Sequence, residues 1–198
     1  MALFHQRFST NTLPQWRLSQ PFRMLAHNGE INTIRGNRNW TRARRALLAS
    51  PQLPELAEID PPIAMTGSDS SSLDNMLELL VIGGMPLPQA LRLLVPPAWQ
   101  TDENLDADLR AFHEFFAFHQ EGWDGPAGLV MTDGRWVVCG LDRNGLRPAR
   151  WTLTEDRRLI VASETGVVDV PVEQVKARGR LGPGELLAAD LSDGSLLS

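Results

Sequence analysis

The chain has 198 residues, 42% of them apolar, and a formal net charge of −5. That length supports one domain with a sizeable core, and the negative balance argues against nucleic-acid or anionic-membrane binding. Cys139 is the only cysteine, which excludes an internal disulfide and a cysteine metal cluster and fits a reducing compartment. No apolar run approaches a membrane-spanning length. The first residues, MALFHQRFST, lack the basic start and apolar block of a secretory signal. The expectation is a cytoplasmic protein. Of the 19 basic residues only Lys176 is a lysine, and the arginines are scattered rather than clustered.

In chain order, residues 22–27 read as a short strand ending at an Asn28-Gly29 turn. The run Arg35–Ala49 is helical, with Trp40, Ala43, Leu47 and Leu48 on one face. A proline-punctuated loop fills 50–66. Gly67-Ser68-Asp69-Ser70 then opens a helix with Leu73, Met76, Leu77 and Leu80 as its apolar stripe and Gly83-Gly84 as its stop. Pro88 opens another helix that runs through Leu94 and ends at Pro96-Pro97. Leu105–Gln120 is a third helical pattern, with Leu109, Phe112, Phe115 and Phe116 on one side. After Gly125-Pro126 the period changes. AGLVMT and RWVVCGL flank Asp133-Gly134 as a hairpin, and RWTLT, LIVAS and ELLAADL continue as strands. A strand, then helices, then at least five strands predicts an α+β fold rather than an alternating doubly wound sheet.

The chemistry concentrates near the N-terminus. Asn28 and Gly29 combine an amide donor with a backbone that permits close approach, the parts of an oxyanion hole; the same dipeptide also makes ordinary turns. Arg7 can fork onto a carboxylate or join a structural ion pair. Asp69 can bind an ammonium group or cap a helix with Ser68 and Ser70. His5, His27, His113 and His119 have no metal-ligand spacing, Cys139 lies within a strand as a small core residue, and no phosphate-binding glycine motif occurs.

Taken together and in order, these motifs resemble one family. They are His5–Thr12 (HQRFSTNT), Ala26–Arg35 (AHNGEINTIR) with Gly36-Asn37, and Gly67–Ser70 with Leu73-Asp74-Asn75. They continue with Trp123–Ala127 (WDGPA), Leu141–Arg150 (LDRNGLRPAR) and Ala162-Ser163-Glu164 before Gly166-Val167. The blocks are similar to those of the glutaminase domain of glutamate synthase large subunits, a class II glutamine amidotransferase of the N-terminal-nucleophile hydrolase type.

The resemblance implies a partial αββα sandwich, and roles follow motif by motif. Arg7 grips the α-carboxylate of glutamine, with Ser9 and Thr10 lining the pocket. Asn28 and Gly29 form the oxyanion hole, and Asp69 holds the α-ammonium. It implies that an N-terminal cysteine, with its own α-amine as base, attacks the side-chain amide, and that the ammonia passes to 2-oxoglutarate. That cysteine lies upstream of the arginine motif in the family, so residues 1–198 are expected to be the C-terminal portion of the domain. Alone they are expected to be inactive, with Leu25, Val130, Val137, Val138, Ile160 and Val161 candidates for an uncovered apolar layer. No cofactor or metal is expected within this chain; FMN and an iron–sulfur cluster are implied for the rest of the parent enzyme. L-glutamine and the remaining glutamate synthase domains or subunits are the implied partners. The alternative is a non-catalytic glutamine-binding or partner module descended from an amidotransferase.

Overall fold

The structure is a computed structural model that describes residues 1–8 and 12–198. The elements, in order, are β1 (Leu25–Gly29), α1 (Ile34–Arg44), α2 (Asp69–Ile82), α3 (Leu87–Leu94), α4 (Ala107–Ala117), β2 (Ala127–Thr132) and β3 (Trp136–Leu141). They continue with β4 (Arg150–Thr154), β5 (Leu159–Ala162), β6 (Val175–Arg180), β7 (Leu186–Asp190) and β8 (Leu196–Leu197). The strands form two antiparallel sheets, one of order β1-β2-β3-β7-β8 and one of order β5-β4-β6.

Two cores define the layers. Helices α2 and α3 cover one face of the larger sheet, joining Leu73, Leu77, Leu91 and Leu94 to Leu25, Leu129 and Val138. The contact is close: a Cβ on Gly140 of β3 would sit 2.6 Å from the Leu91 side chain. The opposite face meets the smaller sheet, where Cys139, Leu141 and Leu187 pack on Ala149 and Leu181 with Trp151, Leu159 and Val161. A helix layer, two antiparallel sheets and a core on each side of the larger one make a partial αββα sandwich.

The predicted α2 stripe is buried at Leu73, Met76 and Leu77, with Gly83 as C-cap. Leu25 and Val138, expected in an uncovered layer, are fully buried. Val130 and Val161 are partly buried between the sheets.

Three departures have physical reasons. Asn28-Gly29 is not a turn after a strand: both residues pair with β2, Asn28 opposite Gly128 and Gly29 opposite Ala127. The predicted apolar face of α1 is exposed, Trp40 at 54%, while Asn37 and Thr41 are buried. That helix is attached by polar contacts. Asn37 Nδ2 donates to Gly122 O at 3.1 Å, and Arg44 pairs with Glu121. Strand β6 escaped the sequence pattern because VKARGR holds three cations and a glycine and offers few apolar residues to alternate, and its Gly179 lies flat under the Trp151 ring.

Candidate active site

The site is built at the end of β1. Gly29 has φ +150°, and a Cβ there would fall 1.7 Å from Pro126 O. Gly125 has φ +153°, and its Cβ would fall 2.0 Å from Glu30 O. Each glycine therefore admits the other segment's carbonyl, a closeness no side chain permits. Hydrogen bonds lock the approach: Glu30 N donates to Pro126 O (2.9 Å), Thr33 N to Asp124 O (3.2 Å) and Asp124 N to Thr33 Oγ1 (2.9 Å). The corner is thus fixed on both sides, with Asn28 exposed beside it.

Buried polar groups hold β1 from behind. Asp74 of α2 is buried and accepts from three successive backbone N–H groups, Arg23 (3.3 Å), Met24 (2.9 Å) and Leu25 (3.0 Å). Burial raises its pKa, and those three bonds oppose the rise. Gln20 clasps the His27 backbone twice, accepting from its N–H at 2.6 Å and donating to its O at 3.0 Å.

The buried His27 ring places Nδ1 2.9 Å from Ser70 Oγ and 4.0 Å from Asp69 Oδ2. Burial lowers its pKa; the Asp69 carboxylate opposes that, and the fields of His5 and Arg147 add to it. A neutral imidazole wedged beneath the corner is the result.

Asp69 stands at the first position of α2, where a carboxylate is favoured by the helix dipole. Its Oδ2 accepts from Ile31 N at 2.7 Å, so it anchors the loop that follows Gly29. Its Oδ1 takes long bonds from Ser70 Oγ (3.3 Å) and Ser68 Oγ (3.4 Å). Arg38 reinforces the same helix start, donating to Ser72 Oγ, Gly67 O and Ser68 O.

The structure therefore brings Asn28, Gly29 and Asp69 into one corner. Arg7 is exposed, and its backbone brackets the His5 ring: its N–H donates to Nδ1 at 3.1 Å, and its O lies 2.6 Å from the same nitrogen. Ser9 and Thr10 lie outside the described residues. Cys139 is apart from the corner, buried between the sheets with its thiol pushed up to about 12 by desolvation, so it is no nucleophile. Among the described residues no group of three or more His, Cys, Asp or Glu is placed to hold a metal. No helix there is long and apolar enough to cross a membrane.

Sequence reasoning gave no role to Asp74, His27, Gln20 or Arg147. Arg147 donates through Nη2 to Asn28 Oδ1, across a separation of 119 residues. The signal was present, since His27, Asp74 and Arg147 all lie within motifs that carry the resemblance, but what they touch depends on the pairing of β1 with β2.

A family model described as glutamine amidotransferases class-II matches residues 1–198. The chain is 48% identical over 199 residues to the ferredoxin-dependent glutamate synthase of Cyanidium caldarium, covering 100% of this chain and 13% of that protein. It is 48% identical over 196 residues to the glutamate synthase [NADPH] large chain of Azospirillum brasilense, covering 98% and 13%. Among solved structures, the allosteric regulatory enzyme of purine biosynthesis matches 96% of this chain and 33% of its own at 18% identity and a TM-score of 0.55, a likeness of fold. The chain spans about an eighth of the length of these curated relatives. With the family model matching throughout and relatives near half identity along the whole chain, the chain belongs to the class II glutamine amidotransferases.

Proposed function

We propose that residues 1–198 form the glutamine-recognition part of the glutaminase domain of a glutamate synthase. The observation that carries this reading is the corner itself. An exposed carboxamide at Asn28 stands beside a glycine that only a Cβ-free residue can occupy, with Asp69 bonded to the loop that follows. In this reading Asn28 Nδ2 and the Gly29 backbone stabilise the oxyanion formed when a nucleophile attacks the side-chain amide of L-glutamine. Arg7 pairs with the α-carboxylate, Asp69 with the α-ammonium, and Ser9 and Thr10 complete the pocket. The buried, high-pKa thiol of Cys139 leaves the attacking cysteine to be supplied from outside these residues. The ammonia released feeds glutamate formation from 2-oxoglutarate in the remaining domains. With a single cysteine these residues lack the thiolates an iron–sulfur cluster needs, so in this reading the cluster belongs to those domains, and FMN is assigned to them by the family resemblance alone.

The test is ammonia release from glutamine. The 198-residue chain alone should release none, and pairing it with a cysteine-initiated segment of the same domain should restore turnover. Asn28→Ala should then lower kcat by about a hundredfold, as deletion of one oxyanion donor does. Arg7→Lys should raise KM, because a point charge replaces a bidentate fork. Ammonia release by the chain alone, abolished by Cys139→Ser, would contradict the reading, as would restored kinetics indifferent to both substitutions.

A further inference from the structure

An oxyanion donor on a carboxamide has an orientation problem. The two ends of the Asn28 side chain are nearly isosteric, yet only Nδ2 donates, and a flipped amide would turn a carbonyl oxygen towards developing negative charge. Asn28 is exposed, so burial does not settle its orientation. One contact does: Arg147 Nη2 donates to Asn28 Oδ1. A guanidinium carries five N–H donors and no acceptor. The atom facing it must therefore be the oxygen.

The fold is arranged to bring this arginine there. Asn28 lies opposite Gly128 across the β1–β2 pair. A Cβ on Gly128 would meet Arg147 Cβ at 3.3 Å and Asn28 O at 3.7 Å, so the missing side chain opens the lane that Arg147 crosses. Asp142, buried at the end of β3, ties the arginine's loop to β2: Oδ1 accepts from Ala127 N at 2.9 Å and Oδ2 from Asn144 N at 3.0 Å. Its backbone O also accepts from Gly145 N and Gly184 N, each at 2.9 Å. Ala127 is in turn the strand partner of Gly29. Pro148 restricts the backbone of Arg147 to extended conformations. A closed circuit thus runs from Gly29 through Ala127, Asp142 and Arg147 back to Asn28.

We infer that Arg147 is a positioning residue of the glutaminase site: by donating to Asn28 Oδ1 it holds Nδ2 towards the oxyanion. The inference rests on the oxyanion role proposed for Asn28. It acts only where charge develops, so it lowers the barrier and leaves glutamine binding alone.

Three substitutions in the intact glutamine-hydrolysing protein read the orientation directly. Arg147→Lys, still donor-only, should keep kcat within about threefold. Arg147→Met frees the amide and should lower kcat about tenfold. Arg147→Glu, acceptor-only, should draw Nδ2 away and lower kcat about a hundredfold, matching Asn28→Ala. KM for glutamine should stay within about twofold throughout, and thermal unfolding should identify any variant that fails to fold. In an Asn28→Ala background none of the three should reduce kcat further, since nothing is left to orient. The inference is overturned if Met and Glu at position 147 leave kcat intact while Asn28→Ala lowers it. It is equally overturned if their losses multiply with that of Asn28→Ala, which would mean Arg147 acts by charge or by general structure. If Asn28→Ala itself leaves turnover unchanged, the proposed function and this inference both fall.

Discussion

The corner around Gly29 and the outer face of α4 are opposite solutions to placing residues on a surface. At the corner two glycines let carbonyls approach to distances no side chain tolerates, and buried or half-buried carboxylates accept the backbone N–H groups around them. On α4 the helix is well formed and well capped, Asp106 accepting from Asp108 N and Leu109 N, yet Phe115 is 60% and Phe118 86% exposed. Its one buried residue is His113, stacked on Trp99 at 5.6 Å. Periodicity reports which residues share a helix face; it does not report whether anything covers that face. Glycines and short polar side chains in fixed order report how closely two backbones meet, and that is what builds the site.

Alanine at two glycines breaks this comparison most sharply. Gly29→Ala places a Cβ inside the Pro126 carbonyl at a φ that L residues rarely adopt. Strain and forced displacement together should cost on the order of 3–5 kcal/mol, read as a fall in the denaturant midpoint, with loss of any glutaminase activity. Gly36→Ala, inside α1, meets nothing within 4 Å. It should stabilise by about 0.5–1 kcal/mol, because alanine is the better helix former. Equal effects at the two positions would show that the corner is not the constrained region described.

Titration of His27 sharpens the same contrast. Its folded pKa lies below the ordinary 6.5, mainly through burial, with Asp69 opposing and His5 and Arg147 reinforcing. The unfolded chain therefore takes up a proton that the folded chain refuses. The stabilisation is complete above about pH 6.5 and is lost as pH falls through the folded value. His113 shifts the same way through burial, while Asp74, raised by burial, recovers stability as pH falls through its own folded value. Both are common to wild type and to His27→Gln, so the difference isolates His27. The variant should be less stable at pH 8 but lose stability more shallowly between pH 7 and 5. The difference in slope is at most about 1.4 kcal/mol per pH unit, the limit for one proton. Parallel profiles would mean that His27 titrates as freely folded as unfolded.

The same contrast explains what could be read from the sequence. The order of strands and helices, the α2 stripe and the Asp-Gly hairpin follow from local patterns, and the structure places Asp69 against the loop that follows Asn28-Gly29. The pairing of Asn28-Gly29 with β2 was not legible, since Asn-Gly locally favours a turn and only β2 at the matching register overrides it. The roles of Arg147 and Asp142 depend on that register too. Strand β6 has the composition of a solvated loop and is a strand because it pairs with β4, where Gly179 leaves room for the Trp151 ring opposite it. In α1 the apolar residues pointed one way and the hydrogen bonds of Asn37 decided the other.

The smallest expected effect tests the exposed side of the comparison. Phe118 is the C-cap of α4, and its N–H closes the last turn by donating to Phe115 O and Phe116 O. Those bonds belong to the backbone and survive any non-proline substitution. The side chain itself is almost fully in solvent, so Phe118→Ser removes little buried apolar area and opens no cavity. Serine is also tolerated at a helix end, where its hydroxyl can reach free carbonyls. Unfolding should shift by no more than about 0.5 kcal/mol, the range of surface changes away from special features. Leu91→Ala is the matched control: that side chain is buried between α3 and β3 against Gly140, and its loss should cost about 2–5 kcal/mol. A loss at Phe118 comparable to that at Leu91 would mean that the outer face of α4 is covered in solution. The apolar residues of that helix would then have to be counted as core.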